Sequence, residues 1–364
     1  MNSKKLSILF AVGILAIAAG IWLAGRGSSS IDSTSALYPG LQRSLQNAKS
    51  VRIYSAGDTL AVDLQRDGDT WSVAQRNGYP ADATKVRKFL LSLADAKIKE
   101  EKTSNPDNYA SLDVQDISDA NASGMRVEVE GVEPKVDLIV GKRGPGSNSR
   151  YVRRAGEAQS WLIEASLGDE RAPSDWLDKA LIDITADRIQ SATLTTQGDK
   201  PYTATKRSQT DENFAVENLP KGKELYSESA ANSFATALAG LNLSDVRLAS
   251  ELDGKPDDRA TYRTFDGLIL ELDGWKRDDK RYIAVRAKFD ATIAERFKLV
   301  KTEAPSAAEG EASDTQSGES AAKDKVDAQA QAATLADKLK DWAYEIPQYK
   351  YDAIFKPLKD LLKD

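Results

Sequence analysis

One pattern constrains the fold more than any other, and it occurs twice. From Lys49 the chain alternates apolar and polar residues through VRIYSA, TLAVDLQRD and TWSVAQR. Helical spacing follows at Val86, Phe89, Leu90 and Leu93, and then come AKIKEEK, MRVEVEG, KVDLIVG, RYVRRA and SWLIEAS. After Trp176 the order restarts. DRIQSATLTTQG, PYTATKRS and ENFAVEN answer the first three runs, with Phe214 where Trp71 fell. A helix carrying Phe234, Leu238 and Leu241 comes next, then ATYRTFDG, LILELDG and KRYIAVRAKF. A period of two places one face of each strand in a core, and helical spacing does the same for a covering helix. The pattern therefore predicts an α+β fold of two duplicated units, residues 48–180 and 187–300, each an antiparallel meander sheet with a covering helix. Gly57-Asp58 and Asp67-Gly68-Asp69 supply the positive φ of hairpin turns, and Asp82 is the expected helix N-cap.

Residues 6–24 carry no charge over nineteen positions, enough to cross about 30 Å of hydrocarbon as a helix. Lys4 and Lys5 outweigh the lone Arg26, so residues 1–5 are expected in the cytoplasm and the body outside. The rival reading is a cleaved signal peptide, but Ala18, Ala19 and Gly20 make a poor cleavage site and Ile21, Trp22 and Leu23 continue the apolar run. Ala16, Gly20 and Ala24 recur every four residues and would form a smooth face for another membrane helix. Residues 25–47 read as a Gly/Ser-rich tether and a short helix. Residues 302–325 are acidic and rich in Ala, Ser, Glu and Gly, and are expected to be disordered. Residues 326–364 read as a solvated helix over Ala328 to Lys340, a strand, a turn at Pro347 and an amphipathic helix with Leu358, Leu361 and Leu362 facing the core. They are expected to complete the second unit.

The chain has 364 residues, a net charge of −6 and neither His nor Cys. This excludes the common zinc, copper and haem sites and Cys- or His-based catalysis, and it speaks against a nucleic-acid surface. GKRGPGS at 141–147 has the wrong residue order for a phosphate loop and is followed by a strand pattern, so it reads as a hairpin loop. Lys142, Arg143, Arg150, Arg153 and Arg154 gather there, as a surface for anionic headgroups or an acidic partner, or as a charge-guarded edge strand. Asp257-Asp258 and Asp278-Asp279 read as surface turns, and Trp71, Trp161, Trp176, Trp275 and Trp342 mostly as core. No catalytic, cofactor or metal residues are assigned.

The N-terminal anchor, the strand triplet closing on Trp71, the helix from Asp82, the NYASLDV segment, Trp176-Leu177 and the ending WAYEIPQYKYDAIFKPLKDLL together resemble the bacterial domain of unknown function 4340 family. The family often has Tyr-Gly-Leu-Asp-x-Pro where this chain has Tyr109, Ala110, Ser111, Leu112 and Asp113 without the proline. The resemblance implies an extracytoplasmic accessory protein, anchored in the inner membrane, whose relatives' genes lie near ABC-2 type permeases and gliding-type exporter subunits. It brings no catalytic residues. The expected function is thus non-enzymatic binding, with a permease or auxiliary subunit met through the basic hairpin or through Tyr344, Tyr349 and Tyr351. An envelope glycan-binding protein or hydrolase, and a stand-alone scaffold, are the alternatives.

Overall fold

Gly57 (φ 70°) and Asp58 (φ 53°) turn β1 (Ser50–Ser55) back onto β2 (Thr59–Asp67), and Gly68 (φ 57°) leads into β3 (Thr70–Val73), as the Asp-Gly steps require. These strands belong to a computed structural model that describes residues 35–302 and 327–363. The fold is α+β, dominated by antiparallel sheet with few helices. The described residues divide into two compact units, 35–75 with 80–176, and 76–79 with 177–302 and 327–363. The predicted span at 6–24, with Ala16, Gly20 and Ala24, and the predicted insertion at 302–325, Thr302 apart, lie outside the described residues. Among the described residues no helix is long and apolar enough to cross a membrane.

The chain continues through β4 (Tyr79–Pro80) and then, in the first unit, α1 (Ala83–Ala94), β5 (Lys97–Glu101), β6 (Met125–Glu130), β7 (Val136–Arg143), β8 (Ser149–Arg154) and β9 (Ser160–Glu164). The sheet order is β4-β3-β2-β1-β6-β7-β8-β9-β5. Its inward positions, Val51, Ile53, Val62, Leu64, Val127, Leu138, Val152 and Ile163, are fully buried. Helix α1 starts where Asp82 accepts a 3.0 Å hydrogen bond from the Lys85 amide. Its apolar face, Val86, Phe89, Leu90 and Leu93, is buried. Phe89 meets Trp176 edge-on at 5.3 Å, and the Trp176 carbonyl accepts from the Asp82 amide, so Trp176 closes the unit that α1 opens.

The second unit comprises β10 (Ala180–Ile182), β11 (Ile189–Thr196), β12 (Tyr202–Thr205), β13 (Ala215–Val216), α2 (Asn232–Ala235), β14 (Leu241–Asn242), β15 (Asp245–Leu248), β16 (Asp258–Thr264), β17 (Leu268–Arg277), β18 (Lys280–Phe289), α3 (Ala291–Thr302), α4 (Ala328–Leu339), β19 (Trp342–Glu345) and α5 (Gln348–Ile354). Its main sheet runs β13-β12-β11-β16-β17-β18-β19-β15, while β10 and β14 pair separately. Read by rank, this is the order of the first sheet without β4: three strands outward to one edge, then a meander whose last strand takes the strand that follows the helix as its outer neighbour.

Three expectations need correction in this unit. The helix expected to carry Phe234, Leu238 and Leu241 is only one turn, Asn232–Ala235. The Asn232 side chain is committed to the Phe214 amide and to Asn213, Gly240 turns the chain at φ 56°, and Leu241 joins β14 against Ile182. The helix expected to be solvated is α4, which packs on β17 and β18 with Ala328, Ala332 and Leu339 buried and with Asp327 as its cap. In the ending, the helix is Gln348–Ile354, directly after Pro347, and Leu358–Leu361 is a single 3-10 turn. Pro357 interrupts the helical run, because proline cannot donate the backbone hydrogen bond a continuing helix needs.

Candidate functional site

The basic hairpin does not present its five cations together. Arg150 and Arg153 lie on opposite faces of β8, and both are buried, 2 % and 3 % exposed. Guanidinium has five donors in a fixed plane and tolerates burial only when acceptors surround it. For Arg150 these are the Leu167 carbonyl at 2.8 Å, the Gly141 carbonyl at 3.1 Å and the Asp169 carboxylate at 2.7 Å. Arg153 donates to the carbonyls of Val114 and Glu157, each at 2.9 Å, and to Asp116, and lies 4.5 Å from the centre of the Tyr109 ring. The turn carrying Tyr109 approaches so closely that a Cβ at Gly141 would collide with the Leu112 carbonyl. Burial thus takes Arg150 and Arg153 out of the expected surface. Lys142 and Arg143 remain exposed, with Arg143 3.8 Å from Asp169.

Arg154 has a different task. Its guanidinium donates 2.6 Å to the Leu37 carbonyl, pairs with Glu157 at 3.1 Å and stacks 4.8 Å from Trp161. Residues 35–37 are meanwhile stitched to the edge of β5. The Leu37 amide donates to Ala96, the Ile98 amide donates to Ser35, and Ala36 bridges Lys97. Tyr38 follows, 4 % exposed, and burial pushes its phenol up to about 12.

The C-terminal tyrosines also separate. Tyr344 lies inside the sheet between β15 and β18 and is fully buried. Tyr351 is 1 % exposed and donates 3.0 Å to Asp258. Burial first, then the Asp258 charge and the hydrogen bond to it, holds the Tyr351 phenol far above its ordinary value. Asp258, expected in a surface turn, is buried at the start of β16 and also takes Lys276 at 3.0 Å. Its neighbour Asp257 accepts from the Lys276 amide at 2.7 Å and pairs with Arg277 at 3.0 Å. A Cβ at Gly274 would lie 2.5 Å from the Phe355 ring. Only Tyr349, 70 % exposed, points away from this packing.

One open hollow in the first unit has no counterpart among the expectations. It encloses about 810 Å³ beside the outer side of α1, walled by Ala36, Lys97, Asn148 and Glu164. Arg87, Lys88, Leu91 and Asp95 recur at helical spacing along that side and are exposed. Glu164 is countered by Lys99 at 2.9 Å and, at longer range, by its cross-strand neighbour Lys97, whereas Arg87 and Lys88 enter no ion pair among the described residues. Among the described residues no cluster of three metal-ligating side chains occurs.

The family model described as "Domain of unknown function (DUF4340)" matches residues 71–264, more than half of the chain, and the chain belongs to that family. The match begins at Trp71 and ends with β16, so it draws on both units. The apolar run at 6–24 and the aromatic ending lie outside it. No curated protein and no solved structure matches the chain.

Proposed function

We propose that this chain is a non-catalytic binding protein held on the outer face of a bacterial inner membrane, where it serves as an accessory subunit of an ABC-2 type, gliding-like transport complex. The observation that carries the binding role is the display of Tyr349. It stands 70 % exposed on a helix pinned by its buried neighbours Tyr351 and Ile354. An aromatic presented on a fixed backbone has little conformational freedom to lose when a partner covers it, which is the usual condition of an interface anchor. In this reading residues 6–24 form a single N-in span, with Ala16, Gly20 and Ala24 against a permease helix. The transporter context comes from the family resemblance. The shared rank order of strands in the two sheets supports an origin of the two units by duplication.

Purification of the full chain from native membranes in mild detergent tests the proposal. Recovery of an ATPase and a permease with it is expected, and Gly20→Leu should weaken that recovery while leaving membrane insertion intact. Repeated recovery of the protein alone would overturn it.

A further inference from the structure

We infer that the hollow beside α1 is a seat for the anionic headgroups of the membrane that holds the protein. The inference deepens the proposed function and rests on its membrane-anchored reading. Three observations lead to it.

The first is charge. Arg87 and Lys88 are exposed and enter no ion pair among the described residues, in contrast to the arginines of β8, whose charges are met by Asp169, Asp116 and Glu157. Of the two carboxylates at the hollow, Glu164 is paired with Lys99 and also faces Lys97 across the β5–β9 ladder, leaving Asp95 against Arg87 and Lys88. Phosphate headgroups are the complement of such a set, and the negative potential of a bilayer acts on basic side chains within about one Debye length of the surface.

The second is shape. Leu91, 39 % exposed, sits between the cations on the same side of α1. An apolar residue flanked by Arg and Lys suits the boundary between headgroups and acyl chains, where long basic side chains keep their charged ends among phosphates.

The third is position. Ala36 is part of the wall, and Ser35 to Leu37 are stitched to β5, so the chain toward residue 34 departs from this hollow. Ten residues, 25–34, separate it from the end of the apolar run at Ala24. Ten residues can bridge at most about 35 Å. A span ending at Ala24 would therefore keep this hollow within about 35 Å of the bilayer.

The absence of native cysteine makes Leu91→Cys a single attachment point for an environment-sensitive fluorophore. The labelled full chain would be reconstituted in discs of phosphatidylcholine and in discs that also contain phosphatidylglycerol. The expected result is a blue shift in the anionic discs alone, lost at high salt and lost in Arg87→Glu/Lys88→Glu/Lys97→Glu, with hydrogen exchange of α1 unchanged as the control for folding. Stable incorporation into the discs with identical emission in both lipids would overturn the headgroup seat and leave anchoring intact. Failure to incorporate would overturn both. A shift that appears in neutral discs and grows with the number of chains per disc would assign the hollow to a second copy and overturn the inference.

Discussion

Tyr351 donates a 3.0 Å hydrogen bond to Asp258, joining the last helix of the chain to the first residue of β16 across more than ninety positions of sequence. Both groups are buried, and Lys276 supplies the charge that Asp258 needs there. A buried hydrogen bond to a charged acceptor contributes about 1.5–3 kcal/mol. Tyr351→Phe should therefore destabilise the second unit by about that amount, and Asp258→Ala by more, since it leaves the buried phenol without its acceptor and also removes the pair with Lys276. Chemical denaturation checks both. Equal effects of the two substitutions would show that Asp258 draws nothing from Lys276.

Trp176 holds α1 through the Phe89 ring at 5.3 Å and the Lys85 ammonium 5.3 Å from its own ring centre. Trp176→Ala opens a cavity beneath that helix and is expected to cost about 3–5 kcal/mol. Thermal unfolding followed by the exchange of α1 amides reads it directly.

For Asp137, burial acts to raise the carboxyl pKa, but the 2.7 and 2.9 Å hydrogen bonds from Arg126, its charge and that of Lys135 outweigh burial and hold it below the ordinary value. A depressed folded pKa stabilises fully above the unfolded carboxylate value of about 3.9 and loses that contribution as pH falls through the folded value. The pair is partly solvated, so about 1 kcal/mol is expected at neutral pH. The stability gap between the wild type and Asp137→Asn should be constant from pH 7 to about pH 5 and close below about pH 4. A gap that persists into strong acid would contradict the assignment.

Arg154 clamps the Leu37 carbonyl and so fixes where the chain joins β5. Arg154→Met keeps much of the stacking on Trp161 and removes the clamp. Faster hydrogen exchange at the Leu37 and Ile98 amides is expected, with little change at β6 or β7.

Tyr349→Ala removes an exposed ring and no buried contact, so stability should change by no more than about 0.5 kcal/mol. Recovery of partner subunits should fall sharply. Unchanged recovery would remove Tyr349 from the interface.

The strands were legible because each buries one face, and period two is a local signal: Val127 and Val129, or Leu270, are buried and their neighbours are not. What local pattern does not carry is which acceptors the sheet brings to a side chain. Arg150 and Arg153 read as surface cations because the carbonyls of Leu167, Gly141 and Val114 that surround them come from a neighbouring strand and from segments brought in by the fold. Tyr349 and Tyr351 stand two residues apart on one short helix, and only the position of Asp258 separates the exposed ring from the buried one. The α1 side of the hollow is written in the sequence as the complement of Val86, Phe89, Leu90 and Leu93. Its other wall, at Asn148 and Glu164, exists only once β9 has paired with both β8 and β5.

β19 sits between β18 and β15, and among the described residues it is the only strand that pairs with β15. Close to a hundred residues are made after β15 before that partner emerges, and until then the β18 edge stands open and β15 has nothing to join. Contacts so far apart in sequence form slowly, and an unpaired edge is where neighbouring chains associate. A chain cut short before Trp342 is therefore a substrate for chaperones and proteases rather than a smaller version of the protein. The second sheet closes only when its final segment has been delivered, so biogenesis, more than equilibrium stability, is the stage at which loss of that segment would be felt.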